Sequence, residues 1–207
     1  MKTPVTGRKI REKLTYSWWK YALVIVLGAF AVNLYYTVST YRPPADKKID
    51  LYMLGTIDDD GMRDYVNRVH ETRMPDMEEM SVLLLTKDSD YGNMQLTTFV
   101  GAGEGDVYLL PRDEFVTLAA SGAWEPLEDV PEITSLFTER DLNIQSGWRT
   151  DNGTGETHLY GIPVSRLPGL KKYVLTDNAY LSILVTGGNR ENCLRFLRIL
   201  CEDMMEE

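Results

Sequence analysis

From Tyr21 to Tyr41, twenty-one consecutive residues carry no charge: YALVIVLGAFAVNLYYTVSTY. A helix needs roughly 20 such residues to cross the hydrocarbon core of a bilayer. A single span must also be helical, because a backbone in hydrocarbon has to satisfy its own hydrogen bonds. Lys20 and Arg42 bracket the run, with Trp18, Trp19 and Tyr21 at one end and Tyr35, Tyr36 and Tyr41 at the other. Aromatic rings so placed suit the two membrane interfaces. Asn33 is the one costly residue inside. Six basic residues precede the run and few follow it closely, which predicts an N-terminus kept in the cytoplasm. The rival reading is a cleaved signal peptide, since Ala29-Phe30-Ala31 has the small-x-small form a peptidase accepts. The apolar run continues through Val38, past where such a peptide stops, and this favours an uncleaved anchor. No cysteine lies nearby to acylate, which excludes a lipid anchor at this site. Under either reading the remainder is exported.

The expected organisation is a basic cytoplasmic tail over 1–20, a transmembrane helix over 21–41, a proline-containing linker over 42–48 and an extracellular α/β domain over 49–207. The linker, Arg42-Pro43-Pro44-Ala45-Asp46-Lys47-Lys48, is stiffened by its prolines. Charge follows the same division. Residues 1–42 hold seven basic side chains and one acid, leaving 15 basic and 30 acidic residues beyond them. A domain at −15 repels phosphate backbones, so nucleic-acid binding is disfavoured. The same field holds the domain off an anionic lipid surface. Cys193 and Cys201 sit eight apart in one helical pattern, about 12 Å along the axis and beyond disulfide reach. They read as small core residues.

Apolar patterning predicts alternating strands and helices. Ile49–Leu54 and Ser81–Thr86 are nearly continuous apolar runs, as strands buried on both faces should be, and Asp106–Leu110 is a third. Asp58-Asp59-Asp60 opens a helix that runs to about Thr72, carboxylates being favoured at a helix start. A second helix covers about Tyr91 to Val100, and a third opens at Pro111-Arg112-Asp113 and ends at Gly122. This order predicts a single open, mostly parallel sheet with helices on both faces. From Glu125 to Thr157 the signal weakens, with Asn152-Gly153 marking a hairpin turn. Leu159–Val164 follows as a strand carrying a proline, then Leu181–Val185 as a clean strand. Asn189 caps a last helix with a stripe of Cys193, Leu194, Leu197, Leu200, Cys201 and Met204. Glu191–Arg195 and Arg198–Glu202 are i,i+4 pairs on its wet side.

The stretch from Asn93 to Asp129 resembles the extracellular solute-binding proteins of ABC importers. The resemblance is carried by the Gly103-Glu104-Gly105 bend, the Asp106–Leu110 strand, the following helix, and the exit Gly122-Ala123-Trp124-Glu125-Pro126-Leu127. Tyr160-Gly161-Ile162-Pro163-Val164-Ser165 is similar to the family's strand leading to the crossover between its lobes. Leu181–Val185 and the last helix are similar to the return strand and helix of its first lobe. The resemblance implies a periplasmic-binding-protein-like fold, ligand binding and work beside an ABC permease. Only Arg166 to Tyr180 separates the crossover strand from the return strand, and fifteen residues cannot make the family's second lobe. A lone lobe has an open face, so a permease or another envelope protein is expected to supply what is missing.

In open α/β sheets, ligands meet the carboxyl ends of the strands. The candidates there are Gly55, Thr56, Ile57 and Asp58 after the first strand, and Lys87 and Asp88 after the second. Pro111, Arg112 and Asp113 follow the third strand, and Ser165 and Arg166 follow the crossover strand. No catalytic constellation stands out. His70 and His158 belong to no ligand-spaced cluster, so neither a metal nor another cofactor is expected. Gly101-Ala102-Gly103-Glu104-Gly105 lacks the Lys-Ser/Thr of a phosphate loop and precedes a strand where such a loop precedes a helix. The alternative to a solute-binding module is a non-catalytic interaction or structural domain of the cell envelope.

Overall fold

The computed structural model describes residues 7–39, 43–55, 58–85, 90–174 and 178–206. The chain divides into two compact units, Met1–Arg42 and Pro43–Glu207. The first unit is one 33-residue helix, α1 (Gly7–Ser39). Its apolar portion, Trp18–Thr37, is long enough to cross a membrane, 20 residues at ~1.5 Å giving about 30 Å.

The second unit begins with a 3-10 turn at Ala45–Lys47. It continues through β1 (Lys48–Leu54), α2 (Asp59–Arg73), β2 (Glu79–Leu85), α3 (Asp90–Ala102), β3 (Val107–Pro111) and α4 (Arg112–Ala119). Then come α5 (Pro131–Glu139), a hairpin of β4 (Trp148–Thr150) and β5 (Thr157–Leu159), and β6 (Ile162–Pro163). β7 (Ala179–Ile183) and α6 (Arg190–Met204) complete it. Five strands form one open sheet in the order β2-β1-β3-β7-β6. β1 pairs parallel with β2 (Leu51 opposite Val82) and with β3 (Tyr52 opposite Tyr108). β7 pairs antiparallel with β3 (Tyr108 opposite Ser182) and with β6 (Pro163 opposite Tyr180). Four strands therefore point one way and β7 alone is reversed. This corrects the expectation of a mostly parallel sheet: the sheet is mixed. An apolar run of five residues carries no direction, and the direction of β7 follows from the turns that feed it after β6.

Alternation along the strands divides the core between two faces. Ile49, Leu51, Met53, Val107, Leu109, Leu181 and Ile183 pack with Met62, Val66 and Val69 of α2, Ile133 and Phe137 of α5, and Phe196, Leu197 and Leu200 of α6. On the other face Tyr52, Leu54, Tyr108, Leu110, Tyr180 and Leu184 pack with Leu96 of α3, Phe115 and Ala119 of α4, and Trp124. Helices thus cover both faces, as the sequence predicted.

Several local expectations hold. Asp58 caps α2, its carboxylate accepting from the Gly61 N–H at 3.2 Å. Gly103 and Gly105 both take positive φ, 70° and 79°, in the bend that turns α3 into β3. A Cβ on Gly105 would sit 2.9 Å from the Tyr108 hydroxyl. Arg198 pairs with Glu202 at 2.7 Å. Other expectations are corrected. The strand expected over Leu159–Val164 is two: Thr157–Leu159 pairs with β4 and Ile162–Pro163 with β7. The chain changes partners at Gly161, which packs so closely on the Phe115 ring that a Cβ would strike it. Pro163 lies on the sheet's outer strand, where a missing N–H costs no ladder bond. Asn189 stands at the start of α6 but makes no side-chain cap. Its amide instead donates to the Lys48 carbonyl at 2.8 Å, tying α6 to β1. Arg195 holds Asp76 at 2.9–3.0 Å rather than Glu191, because the loop after α2 offers a bidentate carboxylate and the Arg73 carbonyl together.

Candidate functional site

The carboxyl ends of β1, β2, β3 and β6 share one edge of the sheet, and the reversed β7 begins there. Helices α2, α3 and α4 start from the same edge, so their N-termini ring it. Of the expected residues, Thr56, Ile57, Lys87 and Asp88 lie outside the described residues. Gly55 donates its N–H to the Leu85 carbonyl at 3.4 Å. Asp58 is engaged as the α2 cap, and its N–H donates to the Tyr173 carbonyl at 2.8 Å, joining the β1 exit to the segment that follows Ser165 and Arg166. Pro111 ends β3. Arg112 is exposed and its N–H donates to the Asn178 carbonyl at 3.0 Å, joining the β3 exit to the β7 entry.

Asp113 lines a groove of about 280 Å³ between α3 and α4, with Asn93, Leu96, Thr97, Thr117 and Leu118. Ser165 is exposed. The Arg166 Nε donates to the Asn143 carbonyl at 2.9 Å. Among the described residues no hydrogen bond or ion pair joins Arg112, Asp113 and Arg166, so these three share an edge without forming a cluster.

One residue at this edge escaped the sequence. Arg149 of β4 lays its guanidinium over the rings of Phe115 and Tyr180, 5.6 and 5.9 Å from their centroids. The two rings stack at 4.4 Å and 11°. Tyr180 lies opposite Leu110, next to the end of β3, which places this cation at the carboxyl edge. Attraction to the ring quadrupoles holds the guanidinium there with its five N–H donors. One of them goes to the Trp148 carbonyl at 2.5 Å. Arg149 falls within the stretch that shows no periodicity, and no local motif marks it.

Charges elsewhere are structural. At the opposite edge, Asp50 accepts from the Ser81 hydroxyl at 2.6 Å and pairs with Lys48 at 3.0 Å. Asp106 accepts from the Asp50 N–H at 2.8 Å. Burial holds the Asp106 carboxyl above its usual range, against that hydrogen bond. In the hairpin, Glu128 accepts from both the His158 ring and the Leu159 N–H. The hydrogen bond to Glu128 raises the His158 pKa above its ordinary value. Two further clefts are larger than the α3–α4 groove. One, between α5 and α6, is lined by Arg190, Arg195 and Arg198, which are already bound to Glu125, Asp76 and Glu202. The other, beside α2 and α6, holds Tyr65 and Arg73, both bound to Asp203. Among the described residues no group of three or more His, Cys, Asp or Glu side chains is placed to hold a metal ion.

No family model matches the sequence. No curated protein matches it either. Solved structures similar to it include an extracellular solute-binding protein of family 1 from Alicyclobacillus acidocaldarius (16% identity, TM-score 0.42), aligned over 60% of this chain and 29% of that one. Another is the N-glycan transport solute-binding protein of Streptococcus pneumoniae (20%, TM-score 0.39, 56% and 24%). An uncharacterized protein of Listeria monocytogenes also aligns (18%, TM-score 0.42, 56% and 28%). The chain thus spans less than a third of the length of each.

Proposed function

We propose that this chain is a membrane-tethered, extracytoplasmic solute-binding-like module. In this reading α1 anchors it in the cell membrane with the N-terminus in the cytoplasm, as the basic residues before the span favour. The domain presents the carboxyl edge of its sheet to a ligand outside. The observation that carries the reading is the closure of the sheet. The outgoing strand β6 lies directly against the returning β7 at an edge where β1 and β3 also end, with Arg149, Arg112 and Asp113 around it. The motif order in the sequence supports the same assignment. Asp58, Ser165 and Arg166, together with Thr56, Lys87 and Asp88, complete the proposed contact set.

A groove of about 280 Å³ is below the ~300–1,000 Å³ of sites that enclose a drug-sized ligand. The rest of the enclosure is therefore assigned to a second surface, an ABC permease or another envelope protein, in a role accessory to uptake. The same shallowness favours a second reading, a docking domain without a solute. Met94, 65% exposed beside Asn93 on α3, would serve that role.

The test is thermal denaturation of residues 43–207, which carry both core clusters, against sugars, peptides and amino acids. A ligand at ~100 times its Kd adds about 2.7 kcal/mol, or roughly 5–10 °C for a domain of this size. Arg149→Ala should abolish the shift. A folded fragment that responds to no compound class overturns the solute reading and leaves the docking one.

A further inference from the structure

Within the apolar portion of α1, Asn33 presents a carboxamide that hydrocarbon cannot satisfy. The amide has two donors and an acceptor. Among the described residues no hydrogen bond reaches its side chain, and the Thr37 hydroxyl donates to its main-chain carbonyl at 2.9 Å. No residue of the span Trp18–Thr37 is buried. Asn side chains within spans hydrogen-bond across to other helices, since lipid offers them nothing.

The surface around Asn33 is spaced for such a partner. Alternating steps of four and three residues give Ala22, Val26, Ala29, Asn33 and Tyr36. A repeat of 3.5 keeps one seam turned toward a left-handed neighbour, and a single Asn at such a position fixes register and oligomer state. Ala29, one turn before Asn33, and Ala22 let two backbones approach closely. Leu27 and Leu34 lie on one flank of this seam and suit lipid, and Val24, Gly28, Ala31 and Tyr35 lie opposite it. A carboxamide both donates and accepts, so two Asn33 side chains at the same depth satisfy one another.

We propose that α1 pairs in the membrane with α1 of a second copy of this chain, parallel and in register, with Asn33 facing Asn33. The proposal rests on α1 being a membrane span.

The experiment uses the full chain in membranes, with single cysteines introduced along α1 and oxidised. Cys193 and Cys201 are buried and do not compete. Ala22→Cys and Ala29→Cys should give covalent dimers, whereas Leu27→Cys and Ala31→Cys should give few. Adding Asn33→Leu should weaken pairing roughly tenfold, the worth of one interhelical amide contact, and Asn33→Gln should restore it. Equal cross-linking on both sides, or a dimer indifferent to Asn33→Leu, overturns the proposal. Alkaline carbonate washing separates the two failures. A chain that stays embedded yet uncross-linked refutes the pairing alone, and a chain that washes off or is clipped after Ala31 refutes the anchor as well.

Discussion

Trp124→Ala should be among the most damaging single changes in the α/β domain. Trp124 is 1% exposed, and its ring packs against Tyr108 with centroids 5.3 Å apart. Its indole N–H donates to the Phe115 carbonyl at 3.3 Å. Its backbone bridges to Leu184, with the Glu125 N–H donating to the Ile183 carbonyl at 2.9 Å on one side and the Val185 N–H to the Ala123 carbonyl at 3.0 Å on the other. Removing a buried indole costs about 3–5 kcal/mol. Losing the indole N–H bond to the Phe115 carbonyl adds about 1 kcal/mol. A loss near 5 kcal/mol is a large fraction of the ~5–15 kcal/mol that holds a domain together. It should lower the melting temperature by about 10–20 °C. Trp124→Phe keeps a ring against Tyr108 but gives up the N–H and part of the buried volume, so it should cost about 2–3 kcal/mol. Urea unfolding of residues 43–207, followed by circular dichroism, measures both. The midpoint should fall while the slope stays fixed. Equal losses for the two variants would show that the hydrogen bond, not packing, dominates. A loss under about 1.5 kcal/mol for Trp124→Ala would show that this residue does not anchor the core.

Other perturbations test different contacts. Gly161→Ala places a Cβ 2.6 Å from the Phe115 ring, and the change should cost about 1–3 kcal/mol, seen as a lower urea midpoint. Because the His158 pKa is raised in the folded state, its ion pair with Glu128 contributes below about pH 6.5 and is lost as pH rises through the folded value. His158→Gln should therefore lose up to about 1 kcal/mol at pH 5.5 and almost nothing at pH 9, the pair being partly exposed. The folded state holds the Asp106 proton more tightly than the unfolded chain does, so this residue lowers stability as pH rises through the acid range. Asp106→Asn retains an acceptor for the Asp50 N–H and should flatten that slope in urea titrations between pH 4 and 7. An unchanged slope would rule out Asp106 as its source.

The parts of the fold legible in the sequence were those set by local chemistry. Runs such as Leu51–Leu54 and Val107–Leu110 mark strands because burial on both faces leaves no place for polar residues. Asp58 marks a helix start because free N–H groups attract a carboxylate within three residues. What escaped depends on distant partners. The Asn189 side chain is drawn from its cap by a carbonyl 141 residues away. The direction of β7 follows from the turns that feed it, and the break at Gly161 goes with the change of pairing partner there, β4 for β5 and β7 for β6. At the site, Asp113 and Arg112 could be placed at a strand exit from their position after Leu110, but not their separation from Arg166, which Asn143 holds. Arg149 was invisible because its aromatic platform is assembled from α4 and β7.

The position of β7 bears on how the domain can form during synthesis. It lies between β3 and β6, although both precede it along the chain. Strands β1 to β3 can pair as they emerge, since their crossovers are short. The flank of β3 must then wait, unpaired, until the C-terminal segment arrives, and β6, two residues long, has no neighbour in the sheet until the same moment. Non-local pairings of this kind are slow and leave strand edges exposed to other chains. The last thirty residues, β7 and α6, therefore act as the bolt of the structure. A nascent chain halted before them would present a half-built sheet, open to misassembly.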